Sequence, residues 1–377
     1  MAETTISPAA TPSPQQDPMP LLGIDHVEMY VGNAHEARYF FTHALGFHET
    51  ARAGLETGVR DRVSFVLEQG RVRLVVTGAL HQGSEIARHH AEHGDGVKVI
   101  ALAVPDAEHA YREAIRHGAR GIREPWEESD EHGIVRRSTI GTYGETLHTF
   151  VERTAYYGPF LPGYKSSAAN GAGGADLLVG IDHVVGNVEL GRMEEWVSYY
   201  ERVLGFTEMI HFSDEDISTE YSALMSKVVA GGNGRIKFPI NEPAEGRRKS
   251  QIEEFLEYYG GAGVQHLALS TTDIVHAVRE LTSRGVEFLR TPDVYYEELP
   301  ERVGEIAEDL ADLRELGILA DRDDEGYLLQ IFTKPIGDRP TMFLELIERH
   351  GARGFGAGNF KALFEAIERE QALRGNL

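Results

Sequence analysis

One half of this chain repeats the other. Gly23-Ile24-Asp25-His26-Val27 returns as Gly180-Ile181-Asp182-His183-Val184, and Ala44-Leu45-Gly46-Phe47 is echoed by Val203-Leu204-Gly205-Phe206. Gly96-Val97-Lys98-Val99-Ile100-Ala101-Leu102 then matches Gly263-Val264-Gln265-His266-Leu267-Ala268-Leu269, and LHTFVER at 147–153 matches FLELIER at 343–349. The separation grows from 157 to 167 to 196 residues, as expected if loops in the second half have lengthened. A duplication of this kind demands two copies of one fold, and 377 residues already exceeds the size at which single cores stop growing. The expected domains are 21–157 and 177–377. A Gly, Ser and Ala-rich linker over 158–176 joins them, and a Thr, Ser, Pro and Gln-rich lead-in over 1–20 reads as disordered.

Each half alternates helical and strand-like stretches. Ala37, Phe40, Phe41 and Ala44, and likewise Met193, Trp196, Val197 and Tyr200, fall at i, i+3, i+4, i+7, the spacing of an amphipathic helix. Asp106 and Asp273 are suited to cap two further helices that Gly118 and Gly285 would stop. Short β-like runs such as Val63–Leu67 and Arg71–Val76 lie between. The fold class is therefore α+β, four similar units in two domains, followed by a last amphipathic helix with Phe360, Leu363, Phe364 and Ile367 on one face.

Composition removes several functions. A net charge of -23 argues against nucleic acid or an anionic membrane surface as partner. No apolar run is long enough for a membrane helix, and the N-terminus lacks the basic and apolar regions of a signal peptide, so the expected compartment is the cytoplasm. There is no cysteine, which excludes disulfides, thiolate sites and Cys nucleophiles. A metal must then sit on His, Asp or Glu.

The two copies differ in a way that points to such a metal. His183, His266 and Glu345 align with His26, Val99 and Thr149. Two histidines and one carboxylate are the ligand set of a non-haem Fe(II) facial triad, which leaves open positions for substrate and O2. Alternation along a strand sets His266 on the face of Val264 and Ala268, and Glu345 on the face of Phe343 and Ile347. A carboxylate among apolar neighbours is costly unless paired, and a divalent cation is one such partner. The metal ligands read from the sequence are therefore His183, His266 and Glu345, with one Fe(II) per chain, and His26 is read as a structural remnant.

Longer motifs carry a resemblance. GIDHVVGNV around His183, KFPINEPA at 237–244, KSQI at 249–252, GAGVQHLAL around His266, EGYLLQIFTKP at 325–335 and GFGAGNFKALFEAIE at 354–368 resemble the 4-hydroxyphenylpyruvate dioxygenases, a family of the vicinal oxygen chelate superfamily. The resemblance runs from about residue 20 to the C-terminus and is most specific in the second half. It implies two tandem barrel-like domains, each of two βαβββ units, with Fe(II) only in the second, and a C-terminal lid helix. It also implies an α-keto acid-dependent dioxygenase that decarboxylates 4-hydroxyphenylpyruvate with O2 and hydroxylates its ring, the side chain migrating, to give homogentisate and CO2. By the same resemblance Ser222, Asn241, Gln251 and Gln265 contact substrate, Gln330 and Gln265 act near the metal, and Phe332, Phe343, Phe355, Phe360 and Phe364 wall the site. The alternatives are a 4-hydroxymandelate synthase, an extradiol dioxygenase and a non-enzymatic small-molecule binding protein. Self-association through the metal-free first domain is expected, as a homodimer or a higher homo-oligomer.

Overall fold

The computed structural model describes residues 19–167, 176–212, 223–244, 246 and 248–375. Among these residues each half of the chain makes one sheet. The first holds β1 (Gly23–Val31), β2 (His48–Ala53), β3 (Arg62–Gln69), β4 (Val72–Ala79), β5 (Gly96–Ala103), β6 (Arg120–Asp130), β7 (Gly133–Gly141), β8 (Leu147–Glu152) and the short β9 (Lys165–Ser166). The second holds β10 (Gly180–Asn187), β11 (Thr207–Phe212), β12 (Ala223–Gly231), β13 (Ile236–Ala244), β14 (Gly263–Ser270), β15 (Leu319–Arg322), β16 (Tyr327–Phe332) and β17 (Phe343–His350). The helices are α1 (Ala34–His43), α2 (Glu85–His93), α3 (Ala107–Arg116), α4 (Met193–Leu204), α5 (Gln251–Tyr259), α6 (Ile274–Ser283), α7 (Asp293–Val303), α8 (Leu310–Leu316) and α9 (Phe360–Arg374).

The strand orders reveal the repeated unit. They are β6-β7-β8-β5-β1-β4-β3-β2-β9 and β11-β12-β13-β10-β14-β17-β16-β15. In every unit the first strand runs on through a helix and a meander, and the fourth strand returns parallel to the first: β1 with β4, β5 with β8, β10 with β13, β14 with β17. The helix supplies the crossover that parallel pairing requires. Two units join antiparallel at their first strands, β1 with β5 and β10 with β14, which gives two curled, barrel-like sheets of two βαβββ units each.

Local chemistry places the helices as the sequence indicates. The Asp106 side chain accepts the His109 amide at 2.8 Å, the Asp273 side chain accepts the His276 amide at 2.9 Å, and Gly118 and Gly285 follow the helix ends at φ +91° and +92°. The extra length of the fourth unit is not loop, as the growing repeat separation suggests, but the inserted helices α7 and α8. Their Tyr295, Tyr296, Leu299, Val303 and Leu313 are buried in the main hydrophobic cluster, and that burial offsets the cost of ordering the insertion.

One hydrophobic cluster runs through both halves and includes Val27, Ile100 and Phe150 with Val184, Leu267 and Leu346. The seam is close. A Cβ on Gly186 would stand 2.5 Å from the Tyr143 ring, and Tyr200 presents its hydroxyl to His148 Nε2 at 2.9 Å. Of the lead-in, residues 1–18 lie outside the described residues, whereas Met19 is buried in this cluster. Residues 158–167 of the proposed linker pack into the first half, with Phe160, Leu161 and Tyr164 buried and β9 paired to β2; residues 168–175 lie outside the described ones. No helix among the described residues is long and apolar enough to cross a membrane.

Candidate metal centre and active site

Three adjacent strands bring the ligands together. In the register of the second sheet His183 on β10 lies opposite Ala268 on β14, and Ala268 lies beside Glu345 on β17. His266 is two residues back from Ala268 and so shares its face. The row His183, Ala268, Glu345 thus has a methyl at its centre, which keeps the space above it open. His183 Nε2 and His266 Nε2 both stand 3.2 Å from Glu345 Oε2. All three residues are buried, Glu345 to 3% exposure.

Two β-bulges aim the supporting side chains. Between Ile181 and His183 the register with β14 shifts by one, and it shifts again between Val185 and Gly186, leaving Asp182 on β10 and Gln265 on β14 as the extra residues. A bulged residue is turned out of strict alternation, so each can lie beside the histidine that follows it. His183 Nδ1 donates to Asp182 Oδ1 at 2.8 Å, and His266 Nδ1 donates to Gln265 Oε1 at 3.0 Å. With Nδ1 protonated, each ring turns an Nε2 lone pair toward Glu345, the tautomer a metal ligand needs.

Asp182 is itself held. Arg349 reaches it with Nε at 2.8 Å and Nη2 at 2.9 Å, and Lys237 Nζ lies 3.3 Å away. Burial would raise the Asp182 carboxyl, but its partners His183 and Arg349 hold it well below the usual carboxylate range. Burial would likewise raise Glu345, yet His183 and then His266 bring it down to about 2. For His266, burial dominates and pushes its pKa down; for His183, burial also opposes charge, but Glu345 and Asp182 outweigh it and raise the pKa.

This donor set fits a divalent cation. Bonds of about 2.1 Å to nitrogen and oxygen place neighbouring ligand atoms about 3 Å apart, close to the 3.2 Å spacings here. His266 Nε2, buried, meets no properly aligned hydrogen-bond partner, which leaves its lone pair for a metal.

Above the triad opens a cavity of about 570 Å³ including its mouth, lined by His183, His266 and Glu345 together with Asn241, Gln251, Gln265, Gln330, Phe332, Phe343, Phe355, Phe360 and Phe364. Phe343 stacks on His266 at 4.8 Å, and Phe355 meets His183 edge-on at 5.0 Å. Gln330 Oε1 accepts from Asn359 Nδ2 at 3.3 Å, and Asn241 Nδ2 reaches Asn187 Oδ1 at 3.4 Å. From α9, Phe360, Leu363 and Phe364 close one side, Phe360 meeting Phe212 at 4.8 Å. Ser222 lies outside the described residues. Val185, which lies inside GIDHVVGNV, also lines the cavity, as do Ser226 and Val228, which belong to no motif; Ser226 pairs directly with Asn241 across β12 and β13, so that pairing was the signal that could have found it.

The first half keeps the support and His26 but lacks the other two ligand residues. Asp25 is its bulged residue, bonded by His26 Nδ1 at 2.6 Å and by Arg153 at 2.7 and 2.6 Å, with Arg73 where Lys237 stands in the second half. Phe160 lies 5.0 Å from His26, as Phe355 does from His183. Val99 and Thr149 occupy the other two ligand positions, and Thr149 shares a 3.0 Å hydrogen bond with Thr139.

Comparison with known proteins agrees with this geometry. The Glyoxalase/Bleomycin resistance protein/Dioxygenase superfamily matches residues 23–139 and 180–331. A 4-hydroxyphenylpyruvate dioxygenase of Yarrowia lipolytica is 47% identical, covering 99% of this chain and 98% of its own, and one of Dictyostelium discoideum is 49% identical, covering 94% and 100%. The solved structure of a mutant 4-hydroxymandelate synthase from Streptomyces coelicolor is 38% identical with a TM-score of 0.85, covering 94% of this chain and 100% of that one. The chain belongs to the glyoxalase/dioxygenase superfamily and, within it, to the 4-hydroxyphenylpyruvate dioxygenase family.

Proposed function

We propose that this chain is a 4-hydroxyphenylpyruvate dioxygenase that holds one Fe(II) on His183, His266 and Glu345 and yields homogentisate and CO2. The observation that carries the reading is a buried two-histidine, one-carboxylate set at the floor of an aromatic cavity with a few amides. When bound, Fe(II) supplies the redox chemistry for O2 and a template for a bidentate keto acid. The protein does the rest. His183, His266 and Glu345 would hold the ion at the floor of the cavity, which would leave the cavity itself for the keto acid and O2. Phe332, Phe343, Phe355, Phe360 and Phe364 exclude water from the reacting centre and confine the ring. Gln265 and Gln330 offer amide N–H groups near the triad, and Asn241, Gln251 and Ser226 supply polar contacts along one wall. Ser222 is proposed as a further substrate contact. Asp182 holds His183 in its metal-binding tautomer.

The competing reading is hydroxylation of the benzylic carbon, favoured by the 38% identity to a 4-hydroxymandelate synthase. Product analysis separates the two. The chain, loaded with Fe(II) without oxygen and then given 4-hydroxyphenylpyruvate and O2, is expected to release homogentisate with equimolar CO2. Formation of 4-hydroxymandelate instead would overturn the assignment while keeping the metal site. We further propose that the enzyme works in the cytoplasm as a homodimer or larger assembly joined through its first half.

A further inference from the structure

Away from the catalytic cavity, His89, His93 and Glu145 bring one ligand atom each to within 4.8 Å of one another. His89 and His93 are four apart on α2, so both project from one face of the helix. Glu145 comes from the turn between β7 and β8. His89 is fully buried, and neither of its ring nitrogens has a hydrogen-bond partner. His93 is 3% exposed, and its Nδ1 donates to the Tyr259 carbonyl at 2.6 Å. That bond fixes the tautomer and leaves the His93 Nε2 lone pair, itself unpartnered, facing Glu145 Oε2 at 3.7 Å. Buried His93 thus points a lone pair at a carboxylate oxygen of the partly exposed Glu145, an arrangement that is unfavourable unless a proton or a metal ion lies between them.

We propose that His89, His93 and Glu145 form a second divalent-cation site, suited to a zinc-type ion that takes imidazole nitrogen, with water as its fourth ligand. A backbone carbonyl accepting from Nδ1 is the usual outer support of a metal-bound histidine. Closing the ligand atoms from at most 4.8 Å to the roughly 3.3 Å edge of a tetrahedral set needs only side-chain rotation of about an ångström. The ion has to compete with cations for its carboxylate: Lys98 Nζ lies 3.2 Å from Glu145 and 3.3 Å from Glu85, and Arg88 lies 3.7 Å from Glu145. Lys98 can stay on Glu85 while Glu145 turns one oxygen to the metal.

The site sits on the seam between the halves. His93 reaches the last residue of α5, the helix whose first residue, Gln251, lines the catalytic cavity. Close by, Arg339 bonds the carbonyls of Ala91, Glu92 and Tyr258. An ion here would brace α2 against that joint without touching the substrate.

The test separates the two metal sites. The full chain carrying His183→Ala and Glu345→Ala is loaded with Zn2+ or Co2+, dialysed and assayed for bound metal, with the Co2+ visible spectrum as a second readout. One retained equivalent, intense tetrahedral Co2+ bands and a melting temperature about 3–5 °C higher at a hundredfold excess over Kd are expected. Adding His89→Gln and His93→Gln should remove all three while the far-ultraviolet dichroism stays folded. The inference is overturned if the triad-disabled chain keeps under a tenth of an equivalent, or if the metal survives loss of both histidines. It is equally overturned if nitrogen-15 spectra of the zinc-loaded chain show His93 doubly protonated against Glu145.

Discussion

Replacing Asp182 by asparagine tests whether the support of the metal ligand matters as support, and the duplication supplies its own control in Asp25. Each aspartate is the bulged residue of its sheet and bonds a histidine and a bidentate arginine. The distances are 2.8, 2.8 and 2.9 Å for Asp182 and 2.6, 2.7 and 2.6 Å for Asp25. Losing the carboxylate strands a largely buried guanidinium in either half, which costs about 3–5 kcal/mol of stability. Asp182→Asn and Asp25→Asn should therefore lower folding stability by similar amounts in denaturant titrations. Only Asp182 also fixes the tautomer of a metal ligand, and loss of such a partner weakens metal binding about 10–100-fold, or roughly 1.4–2.7 kcal/mol. The assay is competition with a chelator for Co2+ or Fe(II), measured on both variants well below their melting temperatures. Wild-type affinity in Asp182→Asn, or an equal loss in Asp25→Asn, would refute the argument.

Two further outcomes follow from the packing. Gly356 has φ +77°, and a Cβ there would stand 2.0 Å from Gln330 Oε1; Gly356→Ala should cost about 1–2 kcal/mol of stability and, by displacing Gln330, lower kcat/KM about 100-fold. Unchanged turnover with only a lower melting temperature would remove Gln330 from the reaction. His148 is fully buried at the seam, and burial lowers its pKa from 6.5 to about 4 despite the hydrogen bond to the Ile100 carbonyl. Its contribution is complete above pH 6.5, falls as the unfolded state binds a proton the fold refuses, and is fully lost below about pH 4, with about 2 kcal/mol gone by pH 5. A chain carrying His148→Asn should lose less stability between pH 7 and 5 in urea titrations; parallel slopes would contradict this.

The duplication and the α+β class were legible from repeated motifs, and the triad because ligand loss in one copy exposes ligand gain in the other; the βαβββ unit itself rests on the family resemblance. His183, His266 and Glu345 stand at aligned positions of strands whose register the repeat itself sets. The bulges at Asp182 and Gln265 were not legible, because one extra residue in a ladder leaves no mark on hydrophobic alternation. Ser226 was missed for want of a motif: only its pairing with Asn241 brings it to the cavity. The inserted α7 and α8 read as loop because their register of buried tyrosines and leucines has no counterpart in the first half. His89 and His93 are visible as a helical pair, but Glu145 joins them only through the fold.

The three side chains proposed to hold the metal, His183, His266 and Glu345, sit roughly eighty residues apart along the chain, on strands that become neighbours only through two crossovers. No local segment can assemble even two of them. On the proposed ligand set, metal capture is a late event in folding, because the three side chains meet only when the second sheet has closed. Adding metal during refolding should slow unfolding while leaving the folding rate untouched, which makes the ion a kinetic lock on a finished topology rather than a nucleus for it.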